Sequence, residues 1–174
     1  MAPSCVPEWL KDLAPVVVSI AVLGVTFSFN RWQRRLAKEQ LRHQLYERRA
    51  AIYAAFRELL IALPEKSDNE IKTLFRKATI ARFEVPFLFE YDPKLQAYLE
   101  QLCKQVGEDV ISNIVSLDAM GRAGLPMNDP QMIQDMMNKT SQLGAAKLEI
   151  PDRHLRELPQ EFARFLKLTD FSKR

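Results

Sequence analysis

The chain has 174 residues, enough for one domain plus an anchor. Hydrophobic residues make up 47% of it and glycines number only 5, which excludes a disordered chain and favours a folded, mainly helical one. The net charge of +3 is local: residues 1–30 sum to −1, residues 31–50 to +5 and residues 51–174 to −1, so a general nucleic-acid-binding surface is not indicated and no nucleic-acid partner is expected.

The first element is an apolar run. Leu13 to Phe29 is 17 residues without a charge. As a helix it rises about 26 Å, slightly less than the ~30 Å hydrocarbon core of a bilayer. Trp9 and Leu10 extend it. Trp9 and Trp32 stand about 34 Å apart along a helix, the spacing of two interfacial aromatic anchors. Pro15 falls in the first turns, where a missing N–H is tolerated. The segment is apolar all round, so the expectation is a transmembrane helix over 9–30 rather than an amphipathic core helix. The first ten residues hold no basic side chain and no small-x-small cleavage site follows the run. It therefore reads as an uncleaved signal anchor. Cys5 follows no apolar stretch, so a lipoprotein signal is absent.

Arg31, Arg34, Arg35 and Lys38 follow the run with no acidic residue among them, whereas the N-terminal flank sets Lys11 against Glu8 and Asp12. Cations beside a span stay on the cytoplasmic side. The expected topology is a single pass through a bacterial inner membrane, N-terminus outside and C-terminal domain cytoplasmic. The four cations are expected to rest on anionic lipid headgroups, at about 1 kcal/mol each. Within the run, Ser19 and Thr26 share a face and Gly24-x-x-x-Ser28 is a small-x-x-x-small pair. Ser19, Gly24, Thr26 and Ser28 are candidates for helix–helix contact.

No Gly or Pro interrupts the chain from Trp32 to Leu63, which reads as a stalk helix of about 48 Å. Its basic part, 31–44, is too polar for a core. From Leu45 an apolar stripe of Leu45, Ile52, Phe56, Leu59 and Leu63 begins. Ser67-x-x-Glu70 has the form of a capping box and opens a helix from Asp68 to about Phe83, with Ile71, Leu74, Phe75 and Ala78 inward and Pro86 ending it. Asp92-Pro93 pairs an N-cap with a first-turn proline for a helix to about Met120. Its inward stripe is Leu95, Leu99, Leu102, Val106, Ile114 and Leu117. "GRAGLPMNDP" is a loop. Asp129-Pro130 starts a helix to about Leu148, Pro151 and Pro159 bracket a short segment, and a last helix spans 160–168. The expected fold is all-α: an N-terminal transmembrane helix, a long stalk, and a cytoplasmic up-and-down bundle of about four helices. The expected divisions are 1–8, 9–30, 31–44 and 45–174.

The basic stretch running into "LYERRAAIYAAFREL", then "FLFEYDPKLQAYLEQL" and "LPQEFARFLKL", resembles small bacterial single-pass membrane proteins with a cytoplasmic helical-bundle domain. The resemblance covers most of the chain after Arg31. It implies a fold and a location and carries no activity.

Chemistry-bearing residues are scarce. His43 with Glu39 and Glu47 has weak metal-ligand spacing, but a solvated helix face explains it. His154 reads as a turn residue. Cys103 reads as a buried thiol, with no histidine near it in sequence. No Glu-x-x-His pair, phosphate-cradling glycine loop or Cys-x-x-Cys is present. We expect no catalytic, cofactor or metal site, no small-molecule substrate and no enzyme. Phe83, Phe87, Phe89 and Tyr91 crowd four aromatics into nine residues, as a docking knob or as a core plug where a helix turns over. Met120, Met127, Met132, Met136 and Met137 read as an adaptable groove or as core filling. The expected function is a membrane-anchored interaction module acting through self-association or a protein partner. The alternative is an effector whose spans assemble and permeabilise the bilayer.

Overall fold

The computed structural model describes residues 8–90, 92–122 and 130–166, with the side chains of 8–17 and 21 excepted. Every described element is helical, so the all-α expectation holds. The elements are α1 (Glu8–Glu65), α2 (Asp68–Leu88), α3 (Pro93–Gln105), a π-helical stretch (Val106–Ile111), α4 (Ser112–Arg122) and α5 (Pro130–Leu166). Because α3, the π stretch and α4 form one run, the architecture is four-helix. The chain divides into two compact units, Met1–Gln44 and Leu45–Arg174.

In the second unit, each helix contributes one apolar stripe to a common core. Ile52, Phe56, Leu59, Leu60 and Leu63 come from α1. Ile71, Ala78, Val85 and Leu88 come from α2, and Leu95, Leu99, Leu102 and Cys103 from α3. Polar side chains pin the pairs at the edges. Lys77 of α2 donates to Glu58 of α1 at 2.8 Å, and Lys147 of α5 to Asp68 of α2 at 2.7 Å. Lys72 of α2 pairs with Asp118 of α4. Such half-exposed pairs fix register more than they stabilise.

The helix starts follow the local chemistry. The Ser67 backbone N–H and hydroxyl both donate to the Glu70 carboxylate, at 3.2 and 2.8 Å. Asp92 accepts from the backbone N–H groups of Lys94 and Leu95, with Pro93 at the first helical position. Glu90 lies between these helices at φ 54°, a left-handed conformation that ends α2 and lets the chain turn within four residues.

Three boundaries differ from the sequence reading, and proline accounts for each. Pro86 does not stop α2 at Phe83; the helix carries it and ends at Leu88. Pro151 and Pro159 do not bracket a separate segment; both lie inside a continuous α5. An interior proline costs about 3 kcal/mol, and burial can exceed that. Ile150, Pro151, His154, Leu158 and Phe162 are all buried, so the core holds α5 helical on both sides of each ring.

The π stretch was not foreseen either. Successive buried residues Val106, Val110 and Ile114 are four apart, a spacing that drifts around a regular α-helix. One wider turn, in which the Ser112 N–H donates to the Gly107 carbonyl, removes the drift. A Cβ on Gly107 would lie 3.4 Å from the Phe75 ring, at van der Waals contact, so α2 packs closely against this turn.

Candidate functional site

Among the described residues, three surfaces and one buried cluster carry the polar and exposed apolar chemistry. In the first unit, the described large apolar residues Val18, Ile20, Val22, Leu23, Val25, Phe27 and Phe29 are each more than half exposed, on every side of α1. Arg31, Arg34, Arg35 and Lys38 follow, all exposed. Trp32 is exposed at the boundary and its ring tilts against Phe29, with centroids 6.1 Å apart. Trp9, the other expected anchor, has its side chain outside the described residues. Among the described residues no helix is long and apolar enough to cross a membrane. The run read as a span starts at Leu13, and five of its first side chains lie outside that description.

Ser19, Gly24, Thr26 and Ser28 are all exposed on this helix. The Thr26 hydroxyl donates to the Val22 carbonyl at 2.8 Å, so its own helix satisfies it. A Cβ placed on Gly24 would meet nothing within 4 Å.

The aromatic group at the end of α2 is divided. Phe83 is 63% exposed and Phe87 78%, while Phe89 is fully buried. Tyr91 lies outside the described residues. Phe83 and Phe87 are four apart on one face with exposed Ile80, and the Arg82 guanidinium sits 5.1 Å from the Phe83 ring. Phe89 instead plugs the core, edge-on to Phe162 and Phe165 with centroids at 5.4 and 4.9 Å. The Arg49 guanidinium lies 5.6 Å from the Phe89 ring, and its Nε donates to the Leu88 carbonyl at 2.7 Å. Arg49 thereby closes the C-terminus of α2.

None of the described methionines is fully buried. Met137 is 62% exposed, and Met120, Met132 and Met136 are half-buried. Met127 lies outside the described residues. Ile133, Met136, Met137, Thr140 and Ser141 border a hollow of about 530 Å³. All five belong to α5, so the hollow is a furrow along one helix and not an enclosed substrate site.

Sequence reading placed His154 in a turn, and the structure places it in the core at 3% exposure. Its Nδ1 is 3.1 Å from the Tyr98 hydroxyl and its Nε2 is 3.2 Å from Gln105 Oε1. Neutral imidazole satisfies all three groups when Nε2–H donates to Gln105 and Nδ1 accepts from Tyr98. Burial lowers the His154 pKa, opposed by the Glu157 carboxylate 3.4 Å from Nδ1 and reinforced by Arg153. Burial also raises the Tyr98 pKa, so the phenol remains a donor. The cluster joins α3 to α5.

That arrangement has a measurable consequence. A depressed folded pKa means that stability is fully present above the unfolded value near 6.5 and is lost as pH falls through the folded value. Between pH 6.5 and 5 the full chain should lose stability. His154→Gln should abolish most of that slope and cost about 1–3 kcal/mol at pH 7.5 through the broken buried network. Urea unfolding followed by far-UV circular dichroism across pH checks both.

Cys103 is buried, and burial raises its thiol pKa, which keeps it protonated and unreactive. Among the described residues no group of three His, Cys, Asp or Glu is placed to hold a metal ion. No family model, curated protein or solved structure matches the chain.

Proposed function

We propose that this chain is a membrane-anchored helical interaction module, a scaffold, adaptor or sensor subunit. Its bundle works at the cytoplasmic face of a bacterial inner membrane, through self-association or a protein partner. One observation carries the reading. Large apolar side chains cover the whole circumference of α1 from Val18 to Phe29 and give way at once to Arg31, Arg34, Arg35 and Lys38. A helix apolar all round is unfavourable in water and favourable in hydrocarbon. Cations at its exit suit anionic headgroups and a cytoplasmic location. Among the described residues the bundle shows no cluster of reactive side chains on an open cavity. Its one histidine cluster is buried and internally satisfied, whereas its exposed apolar residues, Ile80, Phe83 and Phe87 on α2, suit docking.

The rival reading, a pore made by assembled spans, has less support. A pore-lining face needs a continuous polar stripe, and between Val18 and Phe29 the described side chains are mostly large and apolar on every side of α1.

Membrane fractionation tests the proposal. The full chain should stay in the pellet after alkaline carbonate extraction and float with lipid. Recovery of monomer in the soluble fraction without detergent would end the reading. Orientation needs a cysteine other than Cys103, which is buried. Gln142 is exposed on α5. In a Cys5→Ser background, Gln142→Cys should resist an impermeant thiol reagent in intact cells and react after lysis.

A further inference from the structure

His154 stands in α5 between two interruptions. Pro151 and Pro159 have no N–H, so the carbonyls of Lys147 and Leu155 lack the donor that a regular helix supplies four residues on. Its partner across the core is also at an irregular place. Gln105 is the last residue of α3, and the π-helical turn begins at the next residue. Such turns are frequent at functional sites.

The ring is bonded at both nitrogens, but a second acceptor stands beside one of them. Nδ1 lies 3.1 Å from the Tyr98 hydroxyl and 3.4 Å from a Glu157 carboxylate oxygen. Tyr98 belongs to α3, whereas Glu157 belongs to α5, the helix that carries His154. The other Glu157 oxygen accepts from Arg153 Nε at 3.2 Å. The Glu157 side chain is 41% exposed, so it connects the buried ring to solvent. The charged groups acting on the imidazole are Glu157 and Arg153, both on α5. Glu157, Glu161 and Arg153 act on the Tyr98 phenol, and α3 adds the uncharged Gln105.

A proton on Nδ1 is incompatible with the neutral pattern. Both ring nitrogens then donate, and Nδ1–H and the Tyr98 O–H point at each other. Nε2–H keeps its bond to Gln105 in either state. Nδ1–H has the Glu157 carboxylate to turn to, and that charge-assisted bond is stronger than a neutral one.

We propose that His154 is a proton-operated latch between α3 and α5. Neutral, it ties the two helices through both Tyr98 and Gln105. Protonated, it bonds Glu157 on its own helix and releases Tyr98. Burial, opposed by Glu157, keeps the ring neutral until the pH falls below the ordinary imidazole value near 6.5. Leu158 and Phe162 are fully buried and keep α5 seated, so the change is a local re-pairing and not an unfolding. The latch adds regulation by acidification to the interaction-module reading and does not depend on the membrane anchor.

Nitrogen NMR of isotope-labelled histidine in the detergent-solubilised full chain tests this, with His43→Gln leaving a single imidazole. At pH 7.5, Nε2 should carry the proton and Nδ1 none. Tyr98→Phe removes the donor that holds Nδ1 unprotonated and should raise the midpoint of His154 protonation by about half a pH unit or more. Glu157→Gln removes the carboxylate that receives Nδ1–H and should lower the midpoint by about as much. Both substitutions keep the size of the side chain. The Tyr98 ring-carbon signal, assigned by its loss in Tyr98→Phe, should move through the same midpoint as the imidazole. A proton on Nδ1 at pH 7.5 overturns the proposal. So does a midpoint that either substitution leaves unchanged or moves the other way, and so does a Tyr98 signal that stays fixed throughout the titration. Fractionation reports anchoring separately: soluble protein would end the anchor and leave each of these outcomes as decisive as before.

Discussion

Moving the cations across the apolar run should turn a large share of the molecules around in the membrane. Within about 20 residues of the run, the C-terminal side holds seven Lys or Arg and the N-terminal side holds only Lys11. That bias sets orientation, and acidic residues contribute little to it. Neutralising Arg31, Arg34, Arg35 and Lys38 to Gln leaves Arg42, Arg48 and Arg49 against Lys11, so orientation should persist. Adding Glu8→Lys and Asp12→Lys equalises the two sides at three each. The labelled fraction of the Gln142→Cys reporter should then rise from a few per cent to about half. The four Gln changes alone remove about 4 kcal/mol of headgroup attraction, which should weaken recruitment to anionic vesicles without releasing an inserted chain. Labelling that stays low in the rearranged variant would show that the run does not span. Release of the four-Gln variant into the soluble fraction would show that the segment lies on the surface, held by charge.

How far the sequence reveals this molecule depends on whether a feature is local. The Ser67–Glu70 box and the Asp92-Pro93 start needed only neighbouring residues, and both helices begin where those signals stand. The inward stripes of α1 and α3 were legible because their periodicity is regular. The prolines were misread because the usual rule prices a broken hydrogen bond and ignores what the flanking residues bury. The same error hid His154. Ile150, His154, Leu158 and Phe162 recur every four residues, and that spacing places the imidazole in the core once Pro151 and Pro159 are interior residues of one helix rather than breaks. The four aromatics near the end of α2 looked like one group, but helical geometry turns Phe83 and Phe87 outward while the left-handed turn at Glu90 follows a buried Phe89.

The division among those aromatics predicts the largest stability contrast in the bundle. Phe89→Ala and Phe162→Ala should each cost about 3–5 kcal/mol, the range for emptying a fully buried aromatic site. Both rings are fully buried, and each has two edge-on partners. Phe162 meets Tyr53 and Phe89, both at 5.4 Å, and Phe89 meets Phe162 and Phe165. Such pairs add about 0.5–1.5 kcal/mol beyond burial, so the double variant should lose less than the sum of the singles. Phe89→Ala also strips the ring beside the Arg49 guanidinium, which then loses an apolar neighbour at the end of α2. Phe83→Ser and Phe87→Ser, by contrast, should stay within about 0.5 kcal/mol of the parent, because solvent already reaches most of both rings. Urea unfolding of the detergent-solubilised full chain measures all five variants on one scale. If Phe87→Ser proves as costly as Phe89→Ala, the exposed ring is covered in the molecule that unfolds, and the outer face of α2 holds a partner.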